Sequence, residues 1–496
     1  MQMSCDYQLA LADWEGRLAM EPTVWVPGLP LEMTVAAPAS HSDLFVSSSG
    51  QQQLKLVEES TGHQYAVEVF KKAAQSFKDK HDQMETKIHL FPPSMDDLAA
   101  QYAAPKVVSI GPYHHGRTPD LRQMESTKHV AAWHFINDYG SSVEEVYGAV
   151  CEVADEACSH YDEVKLQALG DDDFKPMMFY DGCFLLQFML FLCRDCDDEE
   201  ETTVEMDPSL KSAFSSMERP IFSDIVLLEN QLPWVVVKKL MSFMPEPLDM
   251  ETFIGRVKQS LQSRRDLLFD PPTMDSRYTP PHILGLLRYY IVGNTTTQVS
   301  ETSLSDKAKK VSLSVSVIEL AEMGIELKAS KAKSELQQMG INKALFTGEL
   351  VLAPLSLDDA NARFLVNMTA FELCTTPDFD EAEDKMSTVC SYLCLLGMVT
   401  DSEEDVQALR KKHIMQGGGG LTNNDALKLF TSLEKHLRPG NCYFNTIVDI
   451  ENYRTHRWMW IKVYRLVYRN LKIIIAVVTA VAGFVGFLQT LKSYLK

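Results

Sequence analysis

The strongest constraint on this chain is an uncharged, apolar stretch near its C-terminus, residues 473–491. The first sixteen residues of this stretch contain nothing more polar than Thr479. As a helix, nineteen residues span about 28 Å, close to the hydrocarbon thickness of a bilayer. A core helix of a soluble protein rarely has apolar residues on every side, so the stretch predicts a transmembrane helix.

Aromatic and basic residues precede this stretch, as they do at the edge of many membrane-spanning helices. We expect the following residues to lie at the membrane interface: Trp458, Trp460, Lys462, Tyr464, Arg465, Tyr468, Arg469 and Lys472. Positions 462, 465, 469 and 472 share one face of a helix, and this basic stripe is predicted to meet anionic lipid headgroups. A merely solvated face is a compatible alternative. Because the tail beyond the stretch is short, the rest of the chain is expected to face the cytosol.

The net charge of −21 conceals an asymmetry between the body of the chain and its C-terminal end. From Asn452 onward there are eight Lys or Arg and no Asp or Glu, so the remainder carries −21 − 8 = −29. An acidic body offers no basic surface for phosphates, which argues against nucleic-acid binding. The expected partners are membrane lipid, through the C-terminal helix, and a protein of unknown identity.

The hydrophobic pattern predicts a mainly α-helical fold with a few short β-strands in one large body. We assign residues 1–50 to a loosely ordered extension, 51–440 to the helical globular body, 441–472 to a basic and aromatic stem, and 473–491 to the transmembrane helix. Helical spacing extends over residues 52–87. Short strands are predicted at 105–116, where a strand runs into a Gly/Pro turn, and at 325–328 and 350–355.

Ten cysteines are spread over the whole chain and do not form a dense disulfide framework. Cys193 and Cys196 form a CxxC pair, but no second pair follows at the spacing of a zinc site. The sequence shows no phosphate-binding glycine loop and no nucleophile-elbow or HExxH motif. We therefore expect neither a metal nor another cofactor. No signal peptide is expected either, because the N-terminus lacks a basic region followed by an apolar run.

Two polar groups lie where catalytic residues could be found. His114 and His115 could bind a metal or transfer protons with Asp181 or Glu229, although adjacent side chains of an extended segment point in opposite directions. Glu229 could be a general acid or base. The favoured interpretation is that residues 229–231 satisfy backbone groups where one helix ends and another begins at Pro233.

Self-association through the membrane helix is a further possibility. Ala482 and Gly486 form a small-xxx-small pair, which allows two transmembrane helices to approach closely. The four glycines at 417–420 lack a following lysine and a preceding strand, so they are interpreted as a flexible break.

Several blocks of the sequence together resemble the plant "domain of unknown function 247" family. The blocks are VVSIGPYHHG at 107–116, DGCF at 181–184, DIVLLENQLP at 224–233, NMTAFE at 367–372, EEDV at 403–406 and the aromatic, basic stem with its apolar anchor. The family-motif positions, interpreted as structural rather than catalytic, are Gly111, Pro112, His114, His115, Gly116, Asp181, Gly182, Glu229, Asn230, Gln231, Pro233 and Glu372. The resemblance begins at about Lys87. Gln187 departs from it, because family members usually have an acidic residue near this position.

The resemblance implies a plant protein with one C-terminal membrane span and no established catalytic activity. Some grass members look like pollen-side determinants of self-incompatibility, which implies recognition rather than turnover. The leading hypothesis is therefore a membrane-anchored recognition or signalling component. An enzyme with a pocket near His114, His115, Asp181 and Glu229 is the alternative. A body outside the cytosol is a third possibility, since Asn294 and the Asn367 motif are glycosylation sequons.

Overall fold

The computed structural model describes residues 67–72, 74–75, 78, 83–162, 166, 170–193, 206–262, 272–293, 315–330, 335–343, 347–417 and 421–494. The chain divides into two compact units, Met1–Ser76 and Phe77–Lys496. The described residues of the first unit are helical, whereas residues 83–87 form turns, so the helix predicted over 52–87 does not reach its expected end. The predicted extension 1–50 lies outside the described residues, as does Cys196.

Helices make up most of the second unit, which confirms the predicted fold class. From the N-terminal side they are α1 (Asp96–Tyr102), α2 (Pro119–Tyr139), α3 (Val143–Glu152), α4 (Ala154–Ser159), α5 (Asp171–Cys193), α6 (Pro208–Ile225), α7 (Trp234–Met241), α8 (Met250–Gln262), α9 (Ile283–Val292) and α10 (Val317–Glu322). They continue with α11 (Asp359–Thr375), α12 (Thr388–Val399), α13 (Glu403–Lys411), α14 (Asn423–Glu434), α15 (Asn441–His456) and α16 (Trp458–Tyr494). Short 3-10 helices cover Pro93–Met95 and Asp384–Met386.

Helix α5 is the centre of the core. It is long and apolar enough to cross a membrane, but two thirds of its apolar window is buried inside the body, against α2, α3, α7 and α8. At Gly182 a Cβ atom would lie 2.3 Å from Leu240 Cδ1 of α7, so any other residue here would require the Leu240 side chain to move. The almost wholly apolar run 179–192, whose composition predicts a place in the core, thus forms a core helix.

Two small sheets accompany the helices. Strands β1 (Ile325–Ala329), β3 (Gly348–Leu352) and β2 (Gly340–Lys343) form one sheet, with β1 parallel and β2 antiparallel to β3. Strands β4 (Leu355–Ser356) and β5 (Met415–Gln416) form a parallel pair. Strand β2 was not predicted, because its polar edge residues lack the alternation of a half-buried strand.

Local signals set several helix starts correctly. Asp358 caps α11 by accepting a hydrogen bond from the backbone N–H of Asn361, and Thr422 forms a capping box with Asp425. The pattern TDSE at 400–403 predicts a capping box at the start of α13, but this register is wrong. Ser402 and Asp405 form it instead, two residues further along the chain.

The strand predicted within residues 105–116 is wrong. This stretch consists of bends and turns without regular secondary structure, and Gly111 and Gly116 both have positive φ angles. Its high content of β-branched residues suggested a strand, yet no neighbouring strand pairs with it in the described structure. Side chains from distant helices bind its backbone instead.

Candidate functional site

Residues 104–116 are hereafter called the central segment. Asp224, at the end of α6, accepts hydrogen bonds through Oδ2 from the backbone N–H groups of Lys106, Val107 and Val108, at 3.0, 2.6 and 3.0 Å. Its Oδ1 lies 3.2 Å from the guanidinium of Arg363 on α11. Both ionised side chains are almost completely buried. One carboxylate thus holds three consecutive amides, which converge on it because the chain bends at residues 106 and 107.

Asn230 binds the next part of the central segment. Its Oδ1 accepts from the N–H of Ile110 at 2.7 Å, and its Nδ2 donates to the carbonyl oxygen of Val108 at 3.0 Å. An N–H and a C=O two residues apart point to the same side of an extended chain, so the amide supplies both bonds of a strand partner. The same Nδ2 also donates to the carbonyl oxygen of Asp224 at 3.0 Å.

Asp181 and Lys128 form a second buried ion pair behind the central segment. Asp181 Oδ2 accepts from the N–H of Gly111 at 2.8 Å, and Oδ1 lies 2.7 Å from Lys128 Nζ. Lys128 also donates to the Ser109 carbonyl oxygen at 2.6 Å and to Glu125 Oε1 at 2.7 Å. Burial raises the pKa of Asp181, while Lys128 and the Gly111 amide act in the opposite direction. The pair fixes the turn of the central segment to α2 and α5.

Gly111 is required by both its backbone and its surroundings. Its φ angle is +72°, and a Cβ atom there would lie 2.7 Å from the carbonyl oxygen of Gln231 and 2.8 Å from the hydroxyl of Tyr161. Gln231 itself donates to the carbonyl oxygens of Ile225 and Leu227, both at 2.7 Å. Its Oε1 accepts from the N–H of Leu284 at 3.0 Å, and Pro233 directly precedes α7 as its N-cap residue.

His114 and Glu229 lie together, whereas their predicted companions do not join them. His114 Nε2 is 3.0 Å from Glu229 Oε2, and Glu229 Oε1 accepts from the N–H of Phe91 at 2.8 Å. Burial opposes ionisation of Glu229, but the hydrogen bonds from His114 and Phe91 outweigh it and lower its pKa. His115 is exposed, and Asp181 is directed to Gly111 and Lys128. The four residues of the enzyme hypothesis therefore do not converge on a common point.

Glu372 is a buried structural acceptor on α11. Its Oε1 accepts from Arg288 Nε at 3.0 Å and from the N–H of Val389 at 2.9 Å, and its Oε2 accepts from the N–H of Cys390 at 2.8 Å. The latter two amides belong to the first turn of α12, where a negative charge also stabilises the helix dipole. Glu372 thus joins α9, α11 and α12.

The sequence analysis assigned no role in the fold to Lys128, Asp224, Arg363 or Asn367, although Asp224 and Asn367 begin two of the family blocks. Asn367 accepts from the N–H of Leu228 at 2.8 Å and donates to the carbonyl oxygen of Tyr102 at 2.9 Å. Asp224, Arg363 and Asn367 are charged or polar residues that interrupt apolar stretches, and this was the available signal, whereas Lys128 lies among polar residues. Asn367 is also one of the two sequons, and in the folded protein its amide is completely buried. Asn294 lies outside the described residues.

Among the described residues, no group of three or more His, Cys, Asp or Glu side chains is arranged to hold a metal ion. The buried cysteines have raised pKa values because burial disfavours the thiolate, as at Cys183 and Cys390. The side chains of Asp224, Asn230, Asp181 and Lys128 bind backbone groups of the central segment and hold it in place.

The second candidate site is the C-terminal helix α16, which is continuous over 37 residues. Within it, Lys472–Thr490 has a mean hydropathy of 2.2, and none of this window is buried against the body. The helix is therefore long and apolar enough to be a membrane anchor. Its N-terminal part, residues 458–471, is hereafter called the stem.

The stem packs on the body through one of its faces. Ile461 is buried, and the ring of Tyr464 contacts Gly324 beyond the end of α10. Arg469 donates to both oxygens of Glu322 at 2.8 Å, and Arg465 lies 3.4 Å from the same carboxylate. Two members of the predicted basic stripe are thus paired with the body, while Lys462 lies over the Trp458 ring at 4.4 Å.

The comparisons with known proteins agree with this architecture. A family described as "Plant protein of unknown function", the domain of unknown function 247 family, matches residues 88–485. The chain belongs to this family. Its matched range includes the central segment, all the buried partners described above, the stem and most of the apolar window of α16. The resemblance expected from the sequence motifs, starting at about Lys87, is confirmed.

One relative shows how far the similarity to this family extends. A UPF0481 protein of Arabidopsis thaliana is 26% identical over 394 residues, which cover 74% of this chain and 76% of that protein. No solved structure matches the chain. The comparisons establish membership in a plant family whose function is unknown. A proposal for the function must therefore come from the site itself.

Proposed function

We propose that the protein is a recognition or signalling component, tethered by α16 to a membrane and presenting its acidic body to a protein partner. The observation that carries this proposal is the continuity of α16, which runs from the surface of the body into an apolar span without a break. An all-apolar surface of this length is stable in lipid and not in water.

The orientation of the body follows from the contacts of the stem. The bidentate pair between Arg469 and Glu322 lies only three residues before Lys472, where the apolar window begins. At a rise of 1.5 Å per residue, the paired side of α10 is held within about 5 Å of the start of the span. The pairing lowers the pKa of Glu322, so the carboxylate remains ionised at neutral pH. The body is thus fixed close to the membrane rather than suspended on a loose linker.

Recognition is favoured over turnover by the way in which the family-motif residues are used. The polar side-chain atoms of Asp181, Asn230 and Gln231 bind backbone groups and a buried lysine. The Glu229 carboxylate is bound by His114 and by the backbone N–H of Phe91. These contacts hold a scaffold together and leave the surface to carry specificity. The self-incompatibility role that the resemblance implies for some grass members is of the same class.

Cell fractionation tests the tether. A chain that ends at Arg469 should move from the membrane pellet to the supernatant, because it lacks the apolar span. A chain that ends at Leu491 is the matched control, since it keeps the span and loses only the short tail, and it should pellet like wild type. The proposal is wrong if the chain without the span still resists extraction from membranes at alkaline pH.

Two further experiments address orientation and partner. A mobility shift after glycosidase treatment, abolished by Asn294→Gln, would place the body outside the cytosol and would contradict the cytosolic orientation proposed here. Affinity capture with the full chain, repeated at low and high salt, tests the acidic surface. A partner held by this surface should be lost at high salt, because exposed charges are screened within about 10 Å at 0.1 M.

A further inference from the structure

A stripe of residues at seven-residue spacing continues from the stem of helix α16 into its apolar span. Stepping alternately by four and three residues from Met459, the chain places apolar or small residues at almost every position. The members of this stripe are Met459, Val463, Leu466, Asn470, Ile473, Val477, Ala480, Phe484 and Phe487. This spacing keeps one seam of a helix facing a neighbouring helix, as in a coiled coil.

The body leaves this stripe uncovered. Ile461, Tyr464 and Arg465, which contact the body, lie on the opposite face of the helix. In the stripe itself, Met459 and Leu466 are both 66% exposed. In the stem, the stripe thus lies exposed on the face opposite the one that packs on the body.

Lipid can cover only the lower part of the seam. From Ile473 onward the seam lies within the apolar window, but Met459, Val463 and Leu466 precede Arg469, whose pairing with Glu322 fixes the stem to the body. Met459 lies thirteen residues before Lys472, which corresponds to about 20 Å along a helix. The apolar seam lies in water at its N-terminal end and in lipid at its C-terminal end. A partner that covers it must therefore extend along the helix from the water into the membrane.

We infer that this cover is the same seam of a second copy, so that the protein is a parallel homodimer joined along α16. Two copies anchored in one membrane with their bodies on the same side must have parallel helices. Val463 then occupies an a position and Leu466 a d position, a combination that favours two strands. In a second copy anchored in the same membrane, the corresponding seam necessarily begins and ends at the same distances from the membrane.

Asn470 occupies the a position at the edge of the span. A single asparagine at such a position fixes the register of parallel helices by pairing with its counterpart. Its Nδ2 donates to the Leu466 carbonyl oxygen at 2.8 Å, and an amide has a second N–H and an acceptor oxygen for the pairing. The neighbouring Arg469 would bring two like charges near the seam, but Glu322 of the same chain neutralises each of them.

This seam differs from the small-residue contact considered from the sequence. Ala482 and Gly486 lie on the far side of the helix from Phe484 and Phe487, so the two modes of association exclude one another. The inference rests on the proposed tether, because the tether makes the helices parallel. Fractionation of the same variants separates failure of the tether from failure of the dimer.

Oxidative cross-linking of the full chain in membranes tests the inference. Leu466→Cys should give a covalent dimer upon oxidation, because side chains at a d position face each other across the seam. Tyr468→Cys on the opposite face and the wild-type chain, with its native cysteines, are the controls and should remain monomeric. The inference is overturned if Leu466→Cys pellets with the membrane but stays monomeric, or if Gly486→Cys cross-links in its place.

A charge at the seam provides a second measurement that leaves the span intact. Val463→Glu places two carboxylates face to face in an apolar contact and should weaken cross-linking through Leu466→Cys by roughly tenfold or more. Tyr468→Glu is the matched control, since it adds the same charge outside the seam, and should leave cross-linking unchanged. Equal effects of the two glutamates would overturn the inference.

Discussion

The buried pair of Asp224 and Arg363 makes the most exacting prediction. In Asp224→Asn the side chain can keep one oxygen for the amides of Lys106, Val107 and Val108, because Oδ2 accepts all three of them. What is lost is the negative charge beside Arg363, which is 1% exposed. Breaking one side of a buried ion pair costs about 3–5 kcal/mol in the free energy of unfolding.

Urea unfolding of the full chain in mild detergent, followed by tryptophan fluorescence, measures this loss. Arg219→Met is the matched control, because Arg219 pairs with Asp358 at 3.3 Å but its side chain is 75% exposed. An exposed pair contributes about 0–1 kcal/mol, so this variant should unfold close to wild type. The double variant Asp224→Asn with Arg363→Met should recover part of the loss, since no buried charge is then left without a partner.

The reasoning is refuted if Asp224→Asn lowers the free energy of unfolding by less than about 1 kcal/mol, which is the cost of an ordinary hydrogen bond. It is also refuted if Arg363→Met worsens the Asp224→Asn variant as much as it worsens wild type. In either case the central segment would be held by its apolar packing, and the buried charges would be incidental.

Three further changes have defined outcomes. Gly111→Ala should lower the free energy of unfolding, measured in urea, by at least about 2–4 kcal/mol, because it combines backbone strain with a backbone clash. Gly116→Ala should lower it by about 1–2 kcal/mol, because the space at its Cβ position is open and only the backbone strain remains. Glu229→Gln should be less stable than wild type at pH 7. Because the folded-state pKa of Glu229 is lowered, its contribution is present above the ordinary value of 4.5 and lost as the pH falls, so the difference in urea midpoint should shrink towards pH 3. Glu322→Gln should change overall stability by less than about 1 kcal/mol, yet hydrogen exchange in the stem should accelerate because Arg469 loses its ionised partner.

Features set by neighbouring residues were predictable from the sequence. The C-terminal helix follows from a run of apolar residues that no water-exposed or half-buried element would tolerate. The starts of α11 and α14 follow from Asp358 and Thr422, whose side chains bind amides three residues away. The predominance of helix and the central position of α5 follow equally from composition and spacing.

Long-range partners decided the rest. The central segment has the composition of a strand, but its backbone is bound by Asp224 and Asn230, more than a hundred residues distant. Arg363 is bound still further along the chain, to the Ala104 carbonyl oxygen. The basic stripe of the stem was evident in the sequence, yet only the tertiary structure showed that Glu322 holds two of its members. A hydrogen bond or ion pair between distant residues depends on the path of the whole chain. Local secondary-structure propensity therefore does not predict it.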